Sequence, residues 1–173
     1  MSRVTSRPRA GFALLLVALL AGSYALDAQV TGDRLLRAAS EPHNWLTYGG
    51  TYSSQRYSTL DQITPANVAR LESKWVVQNQ VFGAWQSNPI VVDGVMYITQ
   101  RPNDVMAVDA KTGSLYWLYR HTPSTDAKVC CGANNRGVAI LGDLVFMGTL
   151  DARLIAIDRV SGKARWNIAV GEV

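Results

Sequence analysis

From Lys74 onward the chain is written in short apolar runs of strand type, each closed by a turn signal rich in Gly, Asp, Asn or Ser. Two of these blocks repeat one another. The run Val91-Val92-Asp93-Gly94-Val95-Met96-Tyr97-Ile98-Thr99 matches Ala139-Ile140-Leu141-Gly142-Asp143-Leu144-Val145-Phe146-Met147-Gly148-Thr149 with a small shift. Further along, Ala107-Val108-Asp109-Ala110-Lys111-Thr112-Gly113-Ser114-Leu115-Tyr116-Trp117 matches Ala156-Ile157-Asp158-Arg159-Val160-Ser161-Gly162-Lys163-Ala164-Arg165-Trp166, which puts Trp117 and Trp166 49 residues apart. Each copy predicts a strand, a Gly-containing hairpin, two more strands, an Asp-x-x-Thr/Ser-Gly turn and a last strand that carries the Trp. Trp75, in Lys74-Trp75-Val76, reads as the end of a preceding, degenerate copy.

Four strands repeated every ~40–50 residues is the signature of a propeller blade. The A-x-D-x-x-[TS]-G-x-x-x-W form has a physical rationale. The Asp side chain can accept from backbone N–H groups of its own turn, Gly113 or Gly162 can take positive φ, and the Trp offers a large apolar plate to a neighbouring blade. A hairpin-rich sandwich is the alternative architecture.

Ahead of the repeats the pattern is different. Leu35, Leu36, Ala38 and Ala39, interspersed with Asp33, Arg34 and Arg37, predict a short amphipathic helix from Val30 to Ala39, with Thr31 as cap and Pro42 ending it. Residues Trp45 to Tyr57 are rich in Gly, Ser, Thr and aromatics and read as extended or looped. A second short helix is predicted from Pro65 to Leu71, with Thr64 at the N-cap, Pro65 at N1, and Val68 and Leu71 on one face. At the start of the chain, Arg3, Arg7 and Arg9 precede an uncharged apolar run from Ala10 to Ala21, the layout of a secretory signal. Twelve residues at about 1.5 Å each reach roughly 18 Å, short of the ~30 Å hydrocarbon core, so a cleaved signal is expected rather than a membrane span. Ser23 and Ala25 place the mature start at Leu26, to within a few residues.

Charge and cysteine content follow from that division. The chain carries 17 basic and 13 acidic side chains, a net +4, and three of the arginines lie in residues 1–25. The remainder is close to neutral, with no Lys/Arg block to serve nucleic acid or an anionic membrane surface. Export implies an oxidising compartment for the only two cysteines, the adjacent Cys130 and Cys131. Neighbouring Cα atoms lie ~3.8 Å apart, below the ~4.4–6.8 Å range of ordinary disulfides, so a bond between them demands a distorted backbone. Such distortion persists where surrounding structure enforces it, commonly at functional sites. A pair of thiols, or bridges to cysteines beyond Val173, are the other possibilities.

Other chemistry is sparse. His43 and His121 are isolated and read as surface or packing residues, and Asp109 and Asp158 sit inside the repeated turn, where a structural role outweighs catalysis. No Gly-x-Gly-x-x-Gly, Cys-x-x-Cys-His or Gly-x-Ser-x-Gly occurs, leaving a nicotinamide enzyme, a fused cytochrome and an α/β-hydrolase unsupported within this segment.

The two A-x-D-x-x-[TS]-G-x-x-x-W blocks resemble the tryptophan-docking motifs of the eight-bladed quinoprotein alcohol dehydrogenases that carry pyrroloquinoline quinone (PQQ). The same family is matched by Trp45-Leu46-Thr47-Tyr48-Gly49-Gly50, Arg56-Tyr57-Ser58, Gln62-Ile63-Thr64-Pro65-Ala66-Asn67-Val68, and Cys130-Cys131-Gly132 with Asn135-Arg136-Gly137. The likeness covers almost all of the chain after the signal. It implies an all-β fold, a partial eight-bladed β-propeller of about two blades. Residues 1–25 would be the signal peptide, 26–74 an N-terminal helix and loop segment, and 75–173 the first blades.

The resemblance also implies a site. Cys130 and Cys131 would form an eight-membered disulfide ring lying flat against the quinone. Arg136 occupies the family's place for an arginine near the cofactor, and a planar donor fork suits a ligand with three carboxylates. Gln86 stands where many relatives have a glutamate, keeping hydrogen bonding but losing a charge. The implied reaction is oxidation of a primary alcohol to an aldehyde in the periplasm, with electrons passing to cytochrome c. A calcium ion or a lanthanide would act as Lewis acid and an aspartate as base, and both the metal ligands and the base are expected beyond residue 173. On that expectation the 173-residue chain alone is inactive and marginally stable. A non-enzymatic cell-envelope propeller scaffold is the alternative, and a product of a broken or incompletely sequenced gene a third.

Overall fold

The computed structural model describes residues 29–79 and 81–173, and the predicted signal segment lies outside the described residues. Asp93 and Gly94, both at positive φ (51° and 80°), join strand β1 (Ile90–Val92) to β2 (Val95–Gln100). Positive φ at both central positions marks the primed hairpin turn whose twist matches that of its strands, and Asp-Gly is a preferred pair for it. β3 (Asp104–Asp109) and β4 (Leu115–Tyr119) follow, giving an antiparallel sheet in the order β1-β2-β3-β4. A second sheet repeats that order with β5 (Ala139–Leu141), β6 (Leu144–Gly148), β7 (Arg153–Asp158) and β8 (Ala164–Ala169). Two four-stranded meanders are the units expected of propeller blades.

The copies correspond without the small shift that the sequence match required. Strand starts pair as Ile90 with Ala139, Val95 with Leu144, Asp104 with Arg153 and Leu115 with Ala164, a constant offset equal to that of Trp117 and Trp166. Both sheets carry a register irregularity at the same place, between Ala107 and Val108 and between Ala156 and Ile157. The apparent shift comes from the hairpins. Asp93-Gly94 in the first copy is Gly142-Asp143 in the second, where the glycine alone takes positive φ (60°). Moving the glycine by one position disguises an unchanged register.

The two sheets share one apolar core. Ile90, Val92, Tyr97, Val105 and Ala107 from the first meet Ile140, Val145, Met147, Ile155 and Ile157 from the second, with Val30, Leu35, Ala38 and Leu46 added by the N-terminal segment. Residues Asp104 to Val108 of β3 are all buried, whereas β8 is exposed along its whole length. Main-chain bridges from Val30 to Gly142 and from Trp45 to Val91 tie the N-terminal segment to both blades.

Indole docking holds the blades in sequence. The Trp117 Nε1–H donates to the Arg159 carbonyl at 3.0 Å, and its ring lies so close over Gly162 (φ +70°) that an added Cβ would sit 2.6 Å from Trp117 Cγ. Trp75 repeats the arrangement one blade earlier, donating to the Ala110 carbonyl at 3.2 Å and covering Gly113 (φ +73°). The turns themselves form as the repeat predicts. Asp109 Oδ1 accepts from Lys111 and Thr112 N–H at 2.9 and 2.7 Å, and Asp158 Oδ1 accepts from Val160 and Ser161 N–H at 3.2 and 2.8 Å. Trp166 remains half-covered, with Ile168 and Val170 exposed beside it.

Three local expectations need correction. The first helix, α1, spans only Gly32–Leu36, capped by Thr31 Oγ1 accepting from Arg34 N–H at 3.1 Å. It tightens into a 3-10 turn at Ala38–Ser40, so it ends before Pro42 is reached. Five residues suffice to bury Leu35, after which Ala38 enters the core from the 3-10 turn. The second predicted helix is only a 3-10 turn at Val68–Arg70, and Val68 and Leu71 are exposed. Its start is captured by Asn67, whose Oδ1 accepts from Thr64 N–H at 2.7 Å while its Nδ2 donates to the Gln62 carbonyl. This local bonding competes with a helix. The degenerate copy ending at Trp75 keeps its docking indole, but residues 46 to 75 contain no strand.

Candidate functional site

Two segments lie side by side where the first strands of the two blades begin: residues 82–88, leading into β1, and residues 130–137, leading into β5. One direct bond and two bridging side chains join them. Asn88 N–H donates to the Arg136 carbonyl at 3.0 Å. Thr99 on β2 donates from its N–H to Ser87 Oγ at 2.9 Å and from its hydroxyl to the Asn135 carbonyl at 3.1 Å. Arg101, in the β2–β3 turn, donates from Nη1 to the Phe82 carbonyl and from Nε to the Ala133 carbonyl, each at 3.1 Å.

The residues predicted for the site all fall on these two segments. Cys130 and Cys131 are bonded to each other, with Cα atoms 3.8 Å apart, and both are exposed. The open alternatives of free thiols or distant bridges therefore give way to a vicinal ring. Gly132, at φ +84°, turns the chain directly after it, and its carbonyl accepts from Asn134 N–H at 2.8 Å. Arg136 extends an exposed guanidinium from an anchored backbone, and Gln86 is exposed on the neighbouring segment. Beside Arg136 an open cleft is lined by Tyr48, Asn134, Gly137, Val138 and Thr149. Asn134 is buried, and its Oδ1 has no protein partner.

Behind this surface lies a polar hub that sequence patterning does not reveal. Asn135 Nδ2 donates to Asn103 Oδ1 at 3.2 Å and to the Gly148 carbonyl at 2.8 Å, while its Oδ1 accepts from Gly137 N–H. Asn103 is fully buried, and its Oδ1 also accepts from Leu150 N–H at 3.1 Å. The residue before Arg136 and the residue after it are thus both pinned by side-chain amides.

The loop that precedes the disulfide in sequence is anchored at His121 and Ser124. His121 Nε2 lies 3.0 Å from both carboxylate oxygens of Asp151, which also accepts from Ser124 N–H at 3.2 Å. Burial alone would push the Asp151 carboxyl up, but bonds from Thr149, His121 and Ser124 outweigh it and hold it below the usual carboxylate range. His121 is largely buried in this pair, and His43 is exposed. Asp109 and Asp158 are turn anchors: Tyr116 OH and the Thr112 N–H depress Asp109, and Ser161 together with Arg165 brings Asp158 to about 2.

Known proteins resemble this chain in sequence and in fold. Residues 45–168 match the family described as "PQQ: Glucose/ethanol/alcohol dehydrogenase, beta-propeller domain". The chain belongs to this family. The dehydrogenase subunit of the quinone alcohol dehydrogenase of Gluconacetobacter polyoxogenes is 44% identical over 140 residues, covering 80% of this chain and 19% of that protein. The quinohemoprotein alcohol dehydrogenase ADH-IIG of Pseudomonas putida is 40% identical over 173 residues, covering 95% and 24%. Among solved structures, ADHIIG from Pseudomonas putida HK5 superposes with a TM-score of 0.78 at 42% identity, covering 83% of this chain and 21% of that one. A europium-containing methanol dehydrogenase superposes with a TM-score of 0.76 at 33% identity, covering 82% and 25%. The chain therefore spans about a fifth to a quarter of the length of these relatives.

Family membership makes the partial eight-bladed propeller the architecture, with the two Trp-docked meanders as blades. The chemistry of this exposed wall fits a planar, multiply anionic ligand. It offers a sulfur plate without charge, a guanidinium at Arg136 and a primary amide at Gln86. Among the described residues no group of three or more His, Cys, Asp or Glu could hold a metal ion. Sequence reasoning missed Arg101, Asn103 and the His121–Asp151 pair. Apart from its unusual Arg-Pro-Asn turn, nothing in the linear pattern distinguishes the β2–β3 connection.

Proposed function

We propose that the chain forms part of a PQQ-dependent alcohol dehydrogenase, and that Cys130, Cys131, Arg136 and Gln86 line the cofactor. The observation that carries this reading is the exposed vicinal disulfide sharing one hydrogen-bonded wall with Arg136 and Gln86, on two blades of this family's propeller. When bound, the quinone supplies a two-electron acceptor for converting a primary alcohol to an aldehyde. The protein's own residues orient it. The disulfide presents a flat apolar face, the Arg136 guanidinium draws a carboxylate by charge and by paired donors, and Gln86 gives a neutral hydrogen bond. The Asn135–Asn103 hub keeps Arg136 from drifting, since positioning errors of about 1 Å can cost ~10²-fold in rate.

The cellular setting belongs to the same proposal. Residues 1–25 act as an export signal, residues 26–74 lead into the propeller and 75–173 form its first blades. The enzyme works in the periplasm and passes electrons to a cytochrome c, with calcium or a lanthanide as the metal. Reconstituting the complete gene product with PQQ and either calcium or a lanthanide, then following alcohol-dependent dye reduction, tests the reading. Saturable PQQ binding and dye reduction, both weakened in Arg136→Ala, are expected. Failure to bind the quinone under every metal condition would favour the envelope-scaffold alternative.

A further inference from the structure

We propose that Arg101 is a positioning residue that sets the spacing between the Gln86 segment and the disulfide segment, and so the shape of the wall offered to the quinone. The inference rests on the cofactor-facing reading above and deepens it. Three observations carry it. Arg101 is a single side chain that bonds in two directions, Nη1 to the Phe82 carbonyl and Nε to the Ala133 carbonyl, each at 3.1 Å. Ala133 lies two residues after the disulfide and Phe82 four before Gln86.

The second observation is the space left for the guanidinium. Gly83 takes φ +112°, and the Arg101 guanidinium occupies the place a Cβ there would take. The third is what the segments lack. Neither belongs to a strand, and Phe82 and Trp85 are exposed, so ladder bonds and core packing do not hold residues 82–86 in place. Thr99 and Asn88 fix the far ends at Ser87, Asn135 and Arg136. Nearer Phe82 and the disulfide, Arg101 supplies the cross-link. A guanidinium is suited to the task because its rigid fork spans two acceptors at once, which a lysine ammonium on a flexible stem does not.

The test compares wild type, Arg101→Gln and Arg101→Lys in the complete gene product, with Thr31→Ala as a control destabilised far from the wall. Two quantities are read: PQQ affinity by titration with the free quinone, and the rate at which a small dithiol reduces Cys130–Cys131, followed by alkylation and mass shift. With both charge-assisted bonds lost or weakened, Arg101→Gln is expected to weaken PQQ binding by about tenfold or more. It should also speed disulfide reduction several-fold, because the sulfur segment gains freedom. Arg101→Lys is expected to fall between, and Thr31→Ala to match wild type in both readouts despite a lower Tm. If wild type binds PQQ and Arg101→Gln binds it equally well, the inference is overturned. If wild type binds no quinone, the cofactor reading fails on its own. In that case unchanged reduction kinetics in Arg101→Gln would also overturn the clamp, and faster reduction would support it.

Discussion

Replacing Gly162 with alanine should cost the fold more than the same change at Gly142, although both glycines hold positive φ, 70° and 60°. Any L side chain in that region carries a conformational penalty of about 1–2 kcal/mol, common to the two sites. The surroundings separate them. A Cβ on Gly142 meets nothing within 4 Å, whereas on Gly162 it would lie 2.6–2.9 Å from Trp117 Cγ, Cδ2 and Cβ. The indole is not free to retreat, because its Nε1–H is bonded to the Arg159 carbonyl and its ring lies 5.9 Å from that of Tyr97. Forcing extra volume into such a contact typically costs about 1–3 kcal/mol. The preceding blade supplies a replicate: Gly113 lies under Trp75, where an added Cβ would sit 2.6 Å from Cε3, and Gly94 is open. Thermal unfolding of the four single variants, followed by tryptophan fluorescence, should therefore divide them into two pairs. At roughly 2–4 °C per kcal/mol for a chain of this size, the Gly162→Ala and Gly113→Ala variants should melt between about 2 and 12 °C below Gly142→Ala and Gly94→Ala. Four equal midpoints would refute the claim that indole docking on these turns joins the blades.

Other expectations are simpler. Trp117→Phe keeps the plate but loses the bond to the Arg159 carbonyl and should destabilise by about 1 kcal/mol in denaturant titration. Asp158, at about 2 in the fold against an ordinary value near 4, binds fewer protons folded than unfolded between those pH values; its contribution is present above about pH 4 and lost as pH falls through about 2. After allowance for solvent screening this amounts to about 1 kcal/mol, and Asp158→Asn should flatten the acid limb of a stability–pH curve by that amount. Asn103→Ala removes the acceptor shared by Asn135 and Leu150 N–H, leaving buried donors unpaired, and should cost about 2–4 kcal/mol in the same titration. Hydrogen exchange at Leu150 should accelerate alongside, and an unchanged exchange rate there would count against the hub.

What the sequence determined by itself was whatever depends on short-range pattern. Alternating runs set the strands, Asp-Gly and Gly-Asp set the hairpins, and the Asp109 and Asp158 turns follow from a carboxylate beside its own backbone N–H groups. The repeat also foretold that each Trp would meet a neighbour, since an identical unit 49 residues on offers an identical docking turn. The vicinal pair and Arg136 were visible through family resemblance, because their spacing is a local signature. Tertiary structure decided the rest. The predicted helix at Pro65–Leu71 gave way to a turn because Asn67 bonds its own backbone and the apolar face found nothing to cover it. Arg101, Asn103 and the His121–Asp151 pair act between segments 19 to 47 residues apart, through single bonds to carbonyls, amides or a carboxylate. Periodicity carries information about which residues share a face. It carries none about which loop ends a closed stack of sheets will bring together.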